Sequence, residues 1–198
     1  MAFKSIDEYN EERYGGFFLL QNDADFKDVI FLYQSTKDVL VGDAHYVKSA
    51  DYSGYVQCCG KGCPACAKNI RVQGKMFIPV YVIEDDEVQF WDRSIRFSNI
   101  LSSAVFSKFA NPSEYVFRIT RRGAAGDRNT TYEIAAVGRN VQKPYAQILA
   151  EKGITFPDAY NKVCKDMTAF EMQAMLDSGA PAAVSNEYAG DIPNYQVT

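Results

Sequence analysis

The stretch that most constrains this chain is His45, twelve residues, Cys58, four residues, then Cys63-Pro-Ala-Cys66. A Cys-x-x-Cys turn presents two sulfurs to one ion from a tight knuckle, and zinc takes thiolate and imidazole ligands in a tetrahedron. Gly60, Gly62 and Pro64 supply the turn chemistry. The spacing predicts a structural Zn2+ site held by His45, Cys58, Cys63 and Cys66. Cys58 and Cys59 are neighbours whose side chains diverge in extended backbone, so one of the two faces the ion. We assign Cys58, with His45 as the fourth ligand and Asp43 or Cys59 as the residues that could replace a ligand of this set. His45 is the chain's single histidine and therefore the one imidazole available.

Two other chemistries use similar residues. A redox dithiol of the glutaredoxin type needs a buried strand just before Cys63, whereas Gln57 to Gly62 is rich in turn formers. A zinc nucleobase deaminase needs His-x-Glu ahead of Pro-Cys-x-x-Cys. Here Tyr46 and Val47 follow His45 and no proline precedes Cys63, so the proton-shuttling glutamate is missing. A structural ion and no catalysis is the expectation.

At 198 residues the chain suits one domain with an insertion or a tail. No apolar run reaches the ~20 residues that cross a bilayer, and the first residues lack the apolar stretch of a signal peptide. A cytoplasmic protein is expected, which suits five cysteines used as ligands or inert thiols rather than as disulfides. The charge is uneven. Residues 61–143 carry thirteen Lys/Arg against eight Asp/Glu, while residues 1–60 carry five against ten and residues 144–198 three against seven. A basic middle can meet phosphate locally although the whole chain is acidic.

The pattern is mainly that of strands. Lys27–Gln34 reads as a first strand, Met76–Ile83 and Glu87–Trp91 as a hairpin, and Tyr115–Thr120 with Thr130–Ala135 as a second hairpin across a basic, glycine-containing loop. Between the hairpins, apolar residues at 97, 100, 101, 104, 105 and 109 have helical spacing, and Asn111-Pro112 ends that helix. Pro144–Glu151 and Thr168–Leu176 read as short helices. The expected fold is mainly β (α+β): an OB-like, partly open barrel with an inserted zinc knuckle and C-terminal helices. Residues 1–178 form a single domain with the zinc subdomain inserted at about 43–74, and 179–198 a flexible tail.

Strand alternation places Met76, Ile78, Val80 and Val82 on one face and Phe77, Pro79, Tyr81 and Ile83 on the other. The aliphatic face is the natural core. Phe77, Tyr81, Trp91 and Tyr132 then become candidate stacking surfaces, interleaved with Arg93, Arg96, Arg118, Arg121, Arg122 and Arg128. Rings for bases with guanidinium groups for phosphates is the pairing that single-stranded nucleic acid requires. A zinc-ribbon module that docks protein is the rival, and it has no need of these pairs.

These residues resemble the single-stranded DNA-binding proteins of phages, whose OB-fold core carries zinc, and more distantly the helix-destabilising proteins of T-even phages. The resemblance spans about Phe17 to Val137. It rests on His45, Cys58 and Cys63-Pro-Ala-Cys66, on Phe77-Ile78-Pro79-Val80-Tyr81 and Val88-Gln89-Phe90-Trp91-Asp92-Arg93, and on Arg121-Arg122-Gly123 with Thr130-Thr131-Tyr132-Glu133-Ile134. It implies a non-catalytic protein that coats unpaired DNA during replication, recombination or repair in a phage-infected bacterial host. It also implies replication or recombination partners recruited through the C-terminal tail. Two departures are visible. Residues Phe3 to Arg13 are mostly acidic where the T-even proteins have a basic arm, and residues 179–198 carry only Glu187 and Asp191.

Overall fold

A computed structural model describes residues 16–49, 52–141 and 143–178. The N-terminal arm and the expected tail at 179–198 lie outside the described residues. Strands β1 (Phe26–Phe31), β2 (Val41–Lys48), β3 (Ser53–Gln57), β4 (Val72–Val82), β5 (Glu87–Ser94), β6 (Tyr115–Arg122), β7 (Thr131–Arg139) and the two-residue β8 (Cys164–Lys165) form one sheet. The expected mainly β architecture with a few helices is present. The sheet is open: β5 and β7 carry no mutual hydrogen bonds among the described residues. Gly16 to Phe18 run along β5 instead, where the Phe18 N–H donates to Phe90 O and the Phe90 N–H donates to Gly16 O.

β4 organises the sheet. Its first half pairs antiparallel with β2, from His45↔Val72 to Val41↔Met76, and its second half with β1, from Phe31↔Val80 to Val29↔Val82. Along its other edge it pairs with β5 from Lys75↔Ser94 to Val82↔Glu87. β1 continues to β6 and β6 to β7, with a bulge where Val116 and Phe117 shift register. The strand order is therefore β5-β4-β1-β6-β7, with β2, β3 and β8 extending the sheet beside β4. Within the segment around 43–74, β2 and β3 are hydrogen-bonded into that sheet.

Alternation along β4 separates two buried layers. Met76, Ile78, Val80 and Val82 join Phe31, Trp91, Phe117 and Ile119 in the first core. A helical segment closes it from below: a single turn at Ile95–Phe97, helix α2 (Ser98–Leu101) and a wider turn at Ser102–Phe106, in which the Ser107 N–H reaches back five residues to Ser102 O. Phe97, Leu101 and Val105 are buried as the helical spacing predicts. A short helix α1 (Pro64–Ala67) lies in the cysteine knuckle.

The opposite face of β4 is covered as well, which the alternation alone does not reveal. Helix α3 (Tyr145–Lys152) lays Ile148 and Leu149 against Tyr81, Ile30 and Leu32. Helix α4 (Phe156–Val163) lays Ala159, Tyr160 and Val163 against Phe77 and Phe90. α3 and the last helix, α5 (Ala169–Asp177), match the expected helices to within a residue or two. α4 was not expected. Its start signal is nonetheless present, with Thr155 at the cap position and Pro157 in the first turn.

Trp91 is fully buried between Phe18, Phe97 and Tyr132, with ring centroids 4.9 to 5.7 Å away. Trp91→Ala should therefore lower unfolding free energy by about 3–5 kcal/mol. Urea denaturation followed by far-ultraviolet circular dichroism measures it, and a loss below about 1 kcal/mol would contradict this packing.

Candidate metal centre and nucleic-acid interface

His45 sits on β2 between Val56 of β3 and Val72 of β4, so two neighbouring strands fix its backbone. Its Nδ1 lies 2.9 Å from Ile70 O. A proton on Nδ1 donated to that carbonyl leaves the Nε2 lone pair for a ligand, the usual device for orienting a metal-binding imidazole. The Cys58 N–H donates to Asp43 O, extending the β2–β3 ladder to the first sulfur. Gly60 and Gly62 then adopt positive φ, a conformation that glycine adopts without strain, and the Cys63 N–H closes the turn on Gly60 O. Pro64 starts the single turn that carries Cys66.

The ligand atoms of His45, Cys58, Cys63 and Cys66 all lie within 4.8 Å of one another. The Cys58–Cys66 sulfurs are 3.7 Å apart, and the sulfurs of Cys63 and Cys66 are each 3.5 Å from His45 Nε2. A tetrahedral zinc with bonds of about 2.3 Å to sulfur and about 2.05 Å to nitrogen has edges of about 3.8 and 3.5 Å. The residues fit a bound metal ion. Asp43 and Cys59 are not part of the group: Cys59 Sγ points at Met167 O, 3.6 Å away. The choice of Cys58 over its neighbour is the one the geometry supports.

The sulfurs are unequal. Burial pushes the Cys63 thiol up, but backbone N–H groups at Cys66, Cys59 and Ala65 more than offset it and bring it down to about 6. Cys66 is pushed up to about 11 by burial and by the neighbouring sulfurs of Cys58 and Cys63. One negative sulfur is well supported, and full ionisation of the group needs a cation among the three.

The proposed nucleic-acid contacts divide sharply. Phe77 and Tyr81 are buried under α4 and α3, and Trp91 and Tyr132 lie in the first core. None of the four offers a free ring face for a base, because strand alternation reports which residues share a face but not what covers it. Arg121 is buried too. Its guanidinium donates to the carbonyls of Leu20, Gly123 and Ala124 and to the Thr130 and Tyr132 hydroxyls, so it ties the 123–130 loop down. Arg118 forks onto Asp28 with two 2.8 Å bonds, and Arg122 pairs with Glu133 at 2.7 Å. Arg93, Arg96 and Arg128 have no ion-pair or hydrogen-bond partner among the described residues, and Arg96 and Arg128 are exposed.

A different surface carries open apolar groups. Directly opposite residues share a face, so Val41, Asp43 and His45 of β2 lie with Met76, Gly74 and Val72 of β4 and with Arg93 of β5. Ile95 lies over Gly74, where a Cβ would come within 3.0 Å of Ile95 Cγ2. Val41, Val72 and Ile95 remain 40–50% exposed on this strip, and Arg71 and Arg96 are exposed near its ends. The sequence pattern does not mark Val41–Lys48 as a strand, so these exposed aliphatic side chains emerge only from the fold. What local signal there is lies in Gly42 and Gly74, two bare positions in otherwise β-forming runs.

No protein-family model matches the sequence, and no curated protein matches it. Among the described residues no helix is long and apolar enough to cross a membrane.

Metal content of protein purified under reducing conditions should be one equivalent. It should be lost in Cys63→Ser and kept in Cys59→Ser. Affinity for added zinc should fall between pH 7 and pH 5, since below about 6 the Cys63 sulfur must give up a proton to bind. Competition with a chromogenic chelator measures each. Loss of metal in Cys59→Ser alone would overturn the ligand set.

Proposed function

We propose that this chain is a non-catalytic single-stranded DNA-binding protein of the phage type, with an OB-like core and a structural zinc knuckle. The observation that carries the DNA reading is the strip beside the knuckle, where half-exposed Val41, Val72 and Ile95 share a face with Asp43 and Arg93, and exposed Arg71 and Arg96 adjoin Val72 and Ile95 along the chain. Apolar side chains accept bases and sugars, while unpaired guanidinium groups accept phosphates without first breaking an ion pair. Duplex DNA hides its bases and would use only half of such a surface.

The OB reading is supported by the order β5-β4-β1-β6-β7 and by the helical segment between β5 and β6. In folds of that type, the loops after the first and fourth core strands flank the bound oligonucleotide. Here they are the knuckle-bearing connection from β1 to β4 and the 123–130 loop. Zinc is favoured by the donor set of three thiolates and one imidazole, and four protein ligands leave no open position for a reacting water. The same argument favours a structural over a catalytic role for that metal. Action in the cytoplasm of an infected bacterium, in replication, recombination or repair, belongs to the same reading, as do protein partners met through residues 179–198.

Fluorescence anisotropy with labelled oligo-dT tests it. Binding should be tighter to oligo-dT than to a hairpin of the same length and should weaken steeply with salt. Ile95→Asp and Val72→Asp should each weaken binding at least about 5-fold, whereas Phe77→Leu should lower thermal stability and leave affinity within about 2-fold. Preference for duplex, or equal binding by the two Asp variants and the wild type, would overturn the reading.

A further inference from the structure

Arg93 is held differently from the other arginines of the sheet. β5 places it opposite Met76, two residues beyond Trp91 and on the same face. Its guanidinium carbon lies 4.1 Å from the Tyr132 ring centroid and 4.7 Å from that of Trp91. The two rings are themselves packed edge-on with centroids 5.2 Å apart, and the Tyr132 hydroxyl accepts from Arg121. The guanidinium thus rests on a rigid aromatic floor.

Lying over rings occupies the face of a guanidinium and leaves its N–H donors, which lie in its own plane, for an acceptor. No such acceptor is present among the described residues. Arg93 Nε is buried without a partner, and so is the indole Nε1 of Trp91 beside it. They are the two buried side-chain donors left without an acceptor among the described residues. Arg118, Arg121 and Arg122, by contrast, all have oxygen partners. Asp92 does not serve Arg93, because it is bound at 2.8 and 3.0 Å by Lys75. Arg93 is only partly buried, and its two terminal nitrogens are not among the buried donors, so they remain at the surface for an oxygen that a ligand would bring.

We propose that Arg93 is the seat of one phosphodiester group of the bound strand. Its in-plane N–H groups fork onto two phosphate oxygens while Trp91 and Tyr132 fix its orientation from behind. A fork of donors matches a two-oxygen anion better than a single carbonyl. Exposed Arg96 and half-exposed Ile95 follow it in sequence, so the neighbouring phosphate and sugar have partners of the right kind. The inference rests on the DNA-binding reading but names one contact within it. Tyr132 and Trp91 keep a role as the support of the arginine, though neither stacks on a base.

The test uses the full chain and oligo-dT. Arg93→Gln should weaken binding about 10-fold or more and reduce the log–log salt slope by about 0.7, the share of one single-strand phosphate. Arg93→Lys should keep the slope and still lose affinity, because an ammonium cannot fork. Emission of Trp91, the chain's single tryptophan, should shift on binding in the wild type, a readout that needs no variant. Wild-type binding with unchanged Trp91 emission and unchanged affinity in both variants would overturn the seat and leave the DNA reading standing. If the wild type binds no oligo-dT, the DNA reading fails. Titration with inorganic phosphate then decides the seat alone: an emission change lost in Arg93→Gln supports it, and no change overturns it. A response to polyglutamate and not to oligo-dT would assign the position to a carboxylate and overturn the proposal.

Discussion

β4 is the strand on which the other parts depend, because it is paired along both edges and buried on both faces. Eleven residues is long for one strand, and β4 needs that length to serve β2 with one half and β1 with the other. Pro79 falls in the gap between those two partners, after Met76 and before Val80. A proline in a central strand normally breaks a ladder. Here its carbonyl still accepts the Leu32 N–H, and its missing donor falls where partnership changes over. The junction lets the sheet continue from the β1 side of the core into the cysteine knuckle.

The knuckle in turn anchors the C-terminal segment. Met172 and Leu176 of α5 are buried against Val47, Val56, Cys63 and Ala65, and Met172 Sδ lies 3.7 Å from Cys63 Sγ. Lys68 donates to Leu176 O and pairs with Asp177, and Cys164 and Lys165 run parallel to β3. A nine-residue helix is not stable by itself, so α5 takes its stability from this packing. The candidate metal cluster and the last helix therefore share one small core.

The arginines fall into two groups, those whose donors are used within the fold and those without an acceptor among the described residues. Arg118, Arg121 and Arg122 have used their donors on Asp28, on loop carbonyls and on Glu133, although by composition they look as available as Arg93 or Arg96. An ion pair at the surface contributes little to stability. It does, however, have to be given up before the same guanidinium can take another anion.

The cluster that could hold a metal is legible from the sequence because its chemistry is local: three sulfurs and an imidazole at knuckle spacing, with glycines where the turn needs positive φ. So were most strands, the helical run from 97 to 105, and the division of β4 into two faces, since each follows from a repeat of two or of 3.6 residues. Tertiary structure decided the rest. Phe77 and Tyr81 lie on the face opposite the aliphatic core, as alternation requires, yet helices from sixty or more residues later cover that face and turn two candidate stacking rings into core. Arg121 reads as a loop-tip charge but is buried by carbonyls that only the folded loop brings together. Periodicity records which way a side chain points along its own strand. What it meets there depends on distant segments that no local pattern encodes.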